Sequence, residues 1–192
     1  MAPRFLIVYG TTEGHTAKVA AAMASTLQAR GASVSVQNSA APWTSNPADY
    51  SAVIVAASVH AGTYQRAVRR WVQAHLVALN QRPCAFISVC LAVLNRTPKV
   101  ERDLGAALQR FFEETGWKPV ESKIVAGALP YTKYPWWKRW MMRRIVAKAH
   151  GDVDTSRDYV YTDWEDLEEF VIRFSASVSG VSETVALTQS SF

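Results

Sequence analysis

The sequence predicts an α/β domain, with a doubly wound five-stranded parallel sheet and helices on both faces. Three observations predict it. Strand and helix signals alternate through residues 1–128, which is the rhythm of successive βαβ units. Ala52–Ser58 is an unbroken apolar run, as a strand buried on both faces is. Two helical stretches stop at Gly31 and Gly116, just past a helix end, where glycine is favoured. With 192 residues, 49% hydrophobic and 19% charged, the chain can bury a substantial core without a disulfide or metal staple.

The elements follow in order. Arg4–Tyr9 is a short β-rich run. Gly14–Arg30 places Val19, Met23 and Leu27 on one helical face. Ser33–Gln37 alternates like a strand, and Ala52–Ser58 is the third. Tyr64–Leu79 is helical, with Val68, Trp71, Val72, Leu76 and Leu79 in phase. Cys84–Cys90 is the fourth strand. Its two cysteines, the only two in the chain, share a strand face about 20 Å apart and cannot pair there. Buried thiols in a reducing compartment are therefore expected. Val100–Thr115 is a helix with Leu104, Leu108, Phe111 and Phe112 inward, and Ser122–Gly127 is the fifth strand. The rhythm breaks across residues 130–158. Val160–Thr162 is a strand fragment. Asp163–Val178 is a last helix, capped by Thr162 or Asp163, with Glu165 and Asp166 in its first turn. Residues 179–192 read as a disordered tail, leaving one domain over 1–178. Crossovers are right-handed; the pattern leaves strand order open.

The charge of +5 is unevenly spread. Residues 130–150 carry Lys133, Lys138, Arg139, Arg143, Arg144 and Lys148 and no acid, while the rest of the chain holds 15 basic and 16 acidic side chains. A near-neutral body with one basic segment points to a local anionic partner rather than to nucleic acid. The opening apolar run is too short for a secretory signal, and no window reaches the ~18 apolar residues of a membrane span. A cytoplasmic protein is expected, free to lie on a membrane surface.

Strand one runs into Tyr9-Gly10-Thr11-Thr12-Glu13-Gly14-His15-Thr16, where a helix begins. Hydroxyls and glycines at a helix N-terminus make a cradle for phosphate, with free N–H groups and the positive end of the macrodipole. A turn with a Ser/Thr-type cap is the bland alternative. There is no lysine of a Walker loop and no Gly-x-Gly-x-x-Gly fingerprint. No metal-ligand spacing or nucleophile–base pairing rises above chance.

This run resembles the FMN phosphate loop of the flavodoxin family. Ala57-Ser58-Val59-His60-Ala61-Gly62-Thr63-Tyr64 and Ser88-Val89-Cys90-Leu91 stand where flavodoxins place their two ring-binding loops. Ala126-Gly127-Ala128-Leu129, the basic aromatic stretch, Gly151-Asp152-Val153-Asp154-Thr155 and Tyr161-Thr162-Asp163-Trp164 are similar to a narrower group. These are the bacterial flavodoxin-like protoporphyrinogen IX dehydrogenases, FMN enzymes of haem biosynthesis that pass electrons to respiratory quinones. The resemblance spans roughly residues 4–175. It implies strand order 2-1-3-4-5, with residues 130–158 interrupting strand five and FMN at the carboxyl ends of strands one, three and four. In that frame Thr11, Thr12 and Thr16 supply hydroxyls, and Gly14 and His15 supply main-chain N–H groups. Glu13 replaces a hydroxyl residue and has a backbone role at most. Val59, His60, Ala61, Gly62, Tyr64, Cys90 and Leu91 meet the ring. His15 either adds charge beside the phosphate or is an exposed helix residue.

The segment 130–150 admits three readings: a surface helix docked by its Trp137–Met141–Ile145–Ala149 ridge, which Met142 and Val146 join on the same half, a nucleic-acid contact, or an interfacial element meeting anionic lipid and a planar anionic substrate. The resemblance favours the third. It implies protoporphyrinogen IX as substrate, with Lys133, Arg139, Arg143 and Arg144 for its propionates. It also implies menaquinone or ubiquinone as acceptor, and a cytoplasmic protein held peripherally on the inner face of the cell membrane. No nucleic acid is expected, and the oligomeric state, a homo-oligomer included, stays open. The insertion is expected to be separable from the FMN site. The alternatives are a flavodoxin-type electron carrier and an NAD(P)H:quinone oxidoreductase.

Overall fold

Strand β1 (Arg4–Gly10) lies between β2 (Ser33–Asn38) and β3 (Ala52–Ser58), and the sheet continues through β4 (Cys84–Cys90) to β5 (Glu121–Ala126) in the computed structural model. The structure describes residues 2–60, 62–94, 97–148 and 151–189; Ala61, Ala149 and His150 lie outside them. All four pairings are parallel, and the order β2-β1-β3-β4-β5 is the one the resemblance implied. The chain moves outward from β1 to β2, then returns past β1 to β3. The carboxyl ends of β1 and β3 therefore flank a switch point, where crossovers diverge and leave a crevice.

Helices α1 (His15–Ala29), α2 (Arg66–Ala74), α3 (Leu76–Asn80), α4 (Pro98–Thr115), α5 (Trp136–Lys148) and α6 (Trp164–Gln189) complete the chain, with a small ribbon of β6 (Ala128–Leu129) and β7 (Tyr159–Val160). Strand alternation sorts side chains into two cores. Phe5, Ile7, Ile54 and Ile87 pack with Met23 and Leu27 of α1 and Phe170 and Phe174 of α6. Leu6, Val8, Val53 and Val55 pack on the other face with Val68 and Trp71 of α2 and Phe111 of α4. Each such side chain contributes about 1.5–3 kcal/mol by leaving water. Coverage on both faces is why β3 reads as a continuous apolar run. Cys84 and Cys90 are both buried, and burial pushes the Cys84 thiol up to about 12.

Four features differ from the sequence reading. The helix expected over Tyr64–Leu79 breaks at His75, whose ring Nδ1–H donates to the Trp71 carbonyl at 2.9 Å. Its backbone sits at φ −113°, so a second short helix starts after it. Helix α4 begins at Pro98 rather than Val100, because the Thr97 hydroxyl accepts from Val100 N–H and Pro98 fits the first turn. Strand five is not split: β5 pairs with β4 from Glu121 to Ala126, and the insertion leaves after it. The insertion is closed at its neck by the pairs Ala128↔Val160 and Leu129↔Tyr159. Finally, α6 continues past Val178 to Gln189, where a disordered tail was expected; no proline interrupts residues 179–189. Its N-cap is Asp163, whose Oδ1 accepts from Asp166 N–H at 3.0 Å.

Candidate functional site

The loop between β1 and α1 is built by backbone demands. Gly14 caps α1 at φ 89°, a left-handed conformation that favours glycine, and no side chain caps the helix. The Thr11 hydroxyl oxygen accepts from Gly14 N–H at 2.9 Å, which leaves the Thr11 proton free to point outward. The first turn of α1 carries no acid. Its early N–H groups have no partner within the helix, so the helix end is open to an anion. Gly10 is fixed by close packing: a Cβ there would lie 2.3 Å from Val68 Cγ2.

The His15 side chain neither lies exposed nor carries a charge to the phosphate. The Thr162 hydroxyl donates to the Ala126 carbonyl at 2.6 Å, so its oxygen must accept from His15 Nε2–H at 2.7 Å. The ring also packs against Trp164. Burial, then Lys18, holds its pKa below the ordinary 6.5. His15 is therefore neutral at pH 7, a buried strap from the start of α1 to the start of α6.

The second loop turns tightly at the carboxyl end of β3. His60 and Thr63 exchange backbone hydrogen bonds of 2.9 and 3.0 Å, and Gly62 takes φ 73° in the turn. Ser58 Oγ lies 3.2 Å from His60 Nε2 and accepts from the Gln65 amide, which also reaches Thr12 Oγ1 at 3.4 Å. Gln65 thus ties this loop to the first. The third loop follows β4, with Cys90 Sγ accepting from Ala92 N–H at 3.4 Å.

The three loops line one cleft of about 550 Å³, within the range of small-molecule sites. The sequence-predicted residues Thr11, Glu13, His15, Thr16, Val59, His60, Gly62, Cys90 and Leu91 border it. Thr12 and Gly14 do not line it, and Ala61 lies outside the described residues. Tyr64 does not reach it. Its ring is 5% exposed and packs on Phe86 and Phe111, and its hydroxyl lies 2.9 Å from Ser88 Oγ, so it is a core residue.

The opposite wall comes from residues the sequence reading left out: Val100, Asp103, Leu104 and Ala107 of α4, with Tyr134, Lys138, Met141 and Met142 of the insertion. The α4 residues sit at helical spacing, a signal present in the sequence but read only as core. None of Lys133, Arg139, Arg143 and Arg144 borders the cleft. Arg139 instead bonds the carbonyls of Tyr131, Thr132 and Tyr134, holding the insertion's first turn. Arg144 stacks on Trp140. The apolar half of α5 divides between packed and exposed residues. Met142 and Val146 pack on Leu129, Tyr131 and Tyr134, while Trp137, Met141 and Ile145 stay exposed.

Glu13 faces this insertion. Its carboxylate accepts from the Tyr134 hydroxyl at 2.6 Å and pairs with the Lys138 ammonium. Desolvation and the Glu13 charge push the Tyr134 pKa well up, so Tyr134 stays protonated and donates. A side chain assigned no role from local sequence is the hinge point between loop and insertion.

A doubly wound sheet with an open helix N-terminus and two further loops at its switch point is the architecture of a flavin-binding, flavodoxin-type protein. The family model described as flavodoxin domain matches residues 6–156, and the chain belongs to that family. Among curated relatives it is 33% identical over 165 residues to the protoporphyrinogen IX dehydrogenase (quinone) of Escherichia coli strain K12, covering 86% of this chain and 91% of that one. It is 29% identical over 178 residues to the enzyme of the same name from Leishmania major, covering 91% and 75%. Among solved structures, a Pseudomonas aeruginosa flavodoxin variant superposes with a TM-score of 0.56 at 16% identity over 92% of this chain and 99% of that one. A Streptococcus flavodoxin gives 0.55 at 16% identity, with 91% and 99% covered. These likenesses show the fold.

Proposed function

We propose that this chain is a quinone-dependent protoporphyrinogen IX dehydrogenase that holds FMN in the cleft. The observation that carries the reading is the composition of the cleft. Flavin-type loops form one wall, and an apolar wall from α4 and the insertion forms the other. The residues present fit the cofactor. The open N-terminus of α1, with Thr11 and Thr16 beside it, suits a phosphate dianion. Val59, His60, Gly62, Cys90 and Leu91 offer edges and a face for a planar ring. When bound there, the flavin supplies the two-electron chemistry, taking electrons from substrate and giving them to a quinone.

The chain's own residues position and exclude. Val100, Leu104, Met141 and Met142 present apolar surface suited to a flat macrocycle or a quinone. Methionine's flexible thioether adapts to both. Removing six electrons from the substrate requires three rounds, so the cleft must admit acceptor as well as donor. His15 is neutral and strapped, and Glu13 is paired, so neither is placed as an obligatory acid or base.

The insertion also supports membrane docking. Trp136 is 82% exposed and Trp140 59% exposed, on a helix with several cations and no acid. Among the described residues no helix is long and apolar enough to cross a membrane. Aromatic rings with Lys and Arg suit the headgroup zone of an anionic inner leaflet, and both reactants partition there.

The decisive assay uses purified FMN-loaded protein, protoporphyrinogen under anaerobic conditions, and a quinone as sole acceptor. Stoichiometric appearance of protoporphyrin with quinol is expected. A protein that merely exchanges electrons with redox partners and leaves the porphyrinogen untouched would be a carrier instead.

A further inference from the structure

The cleft has a charge imbalance at its phosphate end. Its lining includes two acids, Glu13 and Asp103, and Lys138 is the one Lys or Arg among the described lining residues. Glu13 sits inside the very loop that would cradle a dianion, and its side chain is 19% exposed. A carboxylate there repels phosphate, and partial burial strengthens the repulsion. Within the loop it is offset by the N–H groups and dipole of α1 and by the hydroxyls of Thr11 and Thr16, none of which carries a full charge.

The insertion supplies what the loop lacks. Lys138, 125 residues away, pairs with Glu13 at 26% side-chain exposure. Tyr134 takes the other carboxylate oxygen and lies under the ammonium, 4.4 Å from ring centroid to Nζ. Carboxylate and ring together fix the cation at the cleft wall. His60, in the ring loop, feels both charges. Desolvation chiefly holds its pKa down, Glu13 raises it and Lys138 lowers it. Glu13, His60 and Lys138 all line the same cleft.

We infer that Lys138 is a cofactor-binding residue: Glu13 and Tyr134 hold its ammonium in the cleft wall, where it provides the positive charge for the flavin's phosphate. The insertion is then part of the cofactor site and not an appendage to it. The inference rests on the proposal that the ligand is a phosphorylated flavin, and its test separates the two.

Apoprotein is titrated with FMN and with riboflavin, which lacks the phosphate, following flavin fluorescence. The wild type is expected to prefer FMN strongly. K138Q leaves Glu13 uncompensated and should weaken FMN by about tenfold or more, as loss of a charge-assisted contact does, with riboflavin affinity nearly unchanged. K138R should restore most of the loss. E13Q, which frees the ammonium from its counter-charge, should bind FMN as tightly as the wild type or more tightly. A purely structural latch predicts otherwise: both K138Q and E13Q would weaken FMN and riboflavin in parallel, and that result overturns the inference. Unchanged FMN affinity in K138Q also overturns it. Should K138Q fail to fold, the salt dependence of wild-type FMN and riboflavin binding decides: FMN alone must weaken with salt, less steeply in E13A/K138A. Equal wild-type affinity for the two flavins would instead remove the phosphate reading itself.

Discussion

Gly10 shows how a single missing atom shapes the site. With a Cβ 2.3 Å from Val68 Cγ2, Gly10→Ala must push α2 away from β1 or distort the loop that follows. Overpacking of this kind costs about 1–3 kcal/mol, and urea unfolding of the variant should show a lowered midpoint with an unchanged slope. His15 makes a different prediction. Its folded pKa lies below the 6.5 of an exposed imidazole, so the unfolded chain takes up the proton first as pH falls. The strap's contribution is intact above about pH 6.5 and is lost as pH drops through the depressed folded value. Melting temperature should therefore decline from pH 7 to pH 5, and less steeply in His15→Gln. Glu13 marks where residue-level reading of sequence ends. Its identity suggested a poor phosphate ligand, but its partners lie 121 and 125 residues on, and no local pattern announces them.

Among elements, those whose signal is periodic were legible. All five sheet strands were marked by apolar runs or, for β2, by alternation, and α1 and α4 by spacing. A break inside one periodic stretch was not: the apolar phase of Tyr64–Leu79 runs on through His75, where the backbone leaves helical geometry at φ −113°, and hydropathy does not register that turn. The insertion was located by its charge, and its apolar half was marked as a whole, but which part of that half docks was not legible. Packing against Leu129, Tyr131 and Tyr134 selects Met142 and Val146. Because Tyr134, Lys138, Met141 and Met142 line the cleft, the insertion is not separable as the sequence suggested. Replacing residues 131–157 by a short Gly-Ser bridge should leave a folded sheet, seen by circular dichroism, that loses most of its flavin on desalting. Retention of full flavin content would show that the cleft closes without this wall.

At the scale of the whole molecule, the basic charge and the uncovered Trp137–Met141–Ile145 stripe fall on the same helix. Met141 belongs both to that exposed stripe and to the cleft lining. Arg143→Gln with Arg144→Gln leaves the carbonyl contacts of Arg139 in place and removes two charges, each worth about 1 kcal/mol near an anionic membrane. Sedimentation with phosphatidylserine-containing vesicles should fall by about tenfold or more on that scale, and binding by the wild type should weaken as salt rises. Equal sedimentation of the double variant would place lipid contact elsewhere on the surface.

The neck of the insertion carries one more consequence. The ladder of Ala128↔Val160 and Leu129↔Tyr159 brings the segment's two ends side by side, so everything between them can detach without disturbing a hydrogen bond of the five-stranded sheet. Such a closed lobe is a unit able to open by itself, at a free energy below that of global unfolding. Its small core of Leu129, Tyr131, Tyr134 and Val146 sets that lower threshold, and the Glu13 bridge raises it. In native-state deuterium labelling, the amides of α5 should exchange well before those of β3 and β4, and slow markedly once a flavin is bound. The lobe would then act as a door whose bolt is drawn into place by the ligand it encloses.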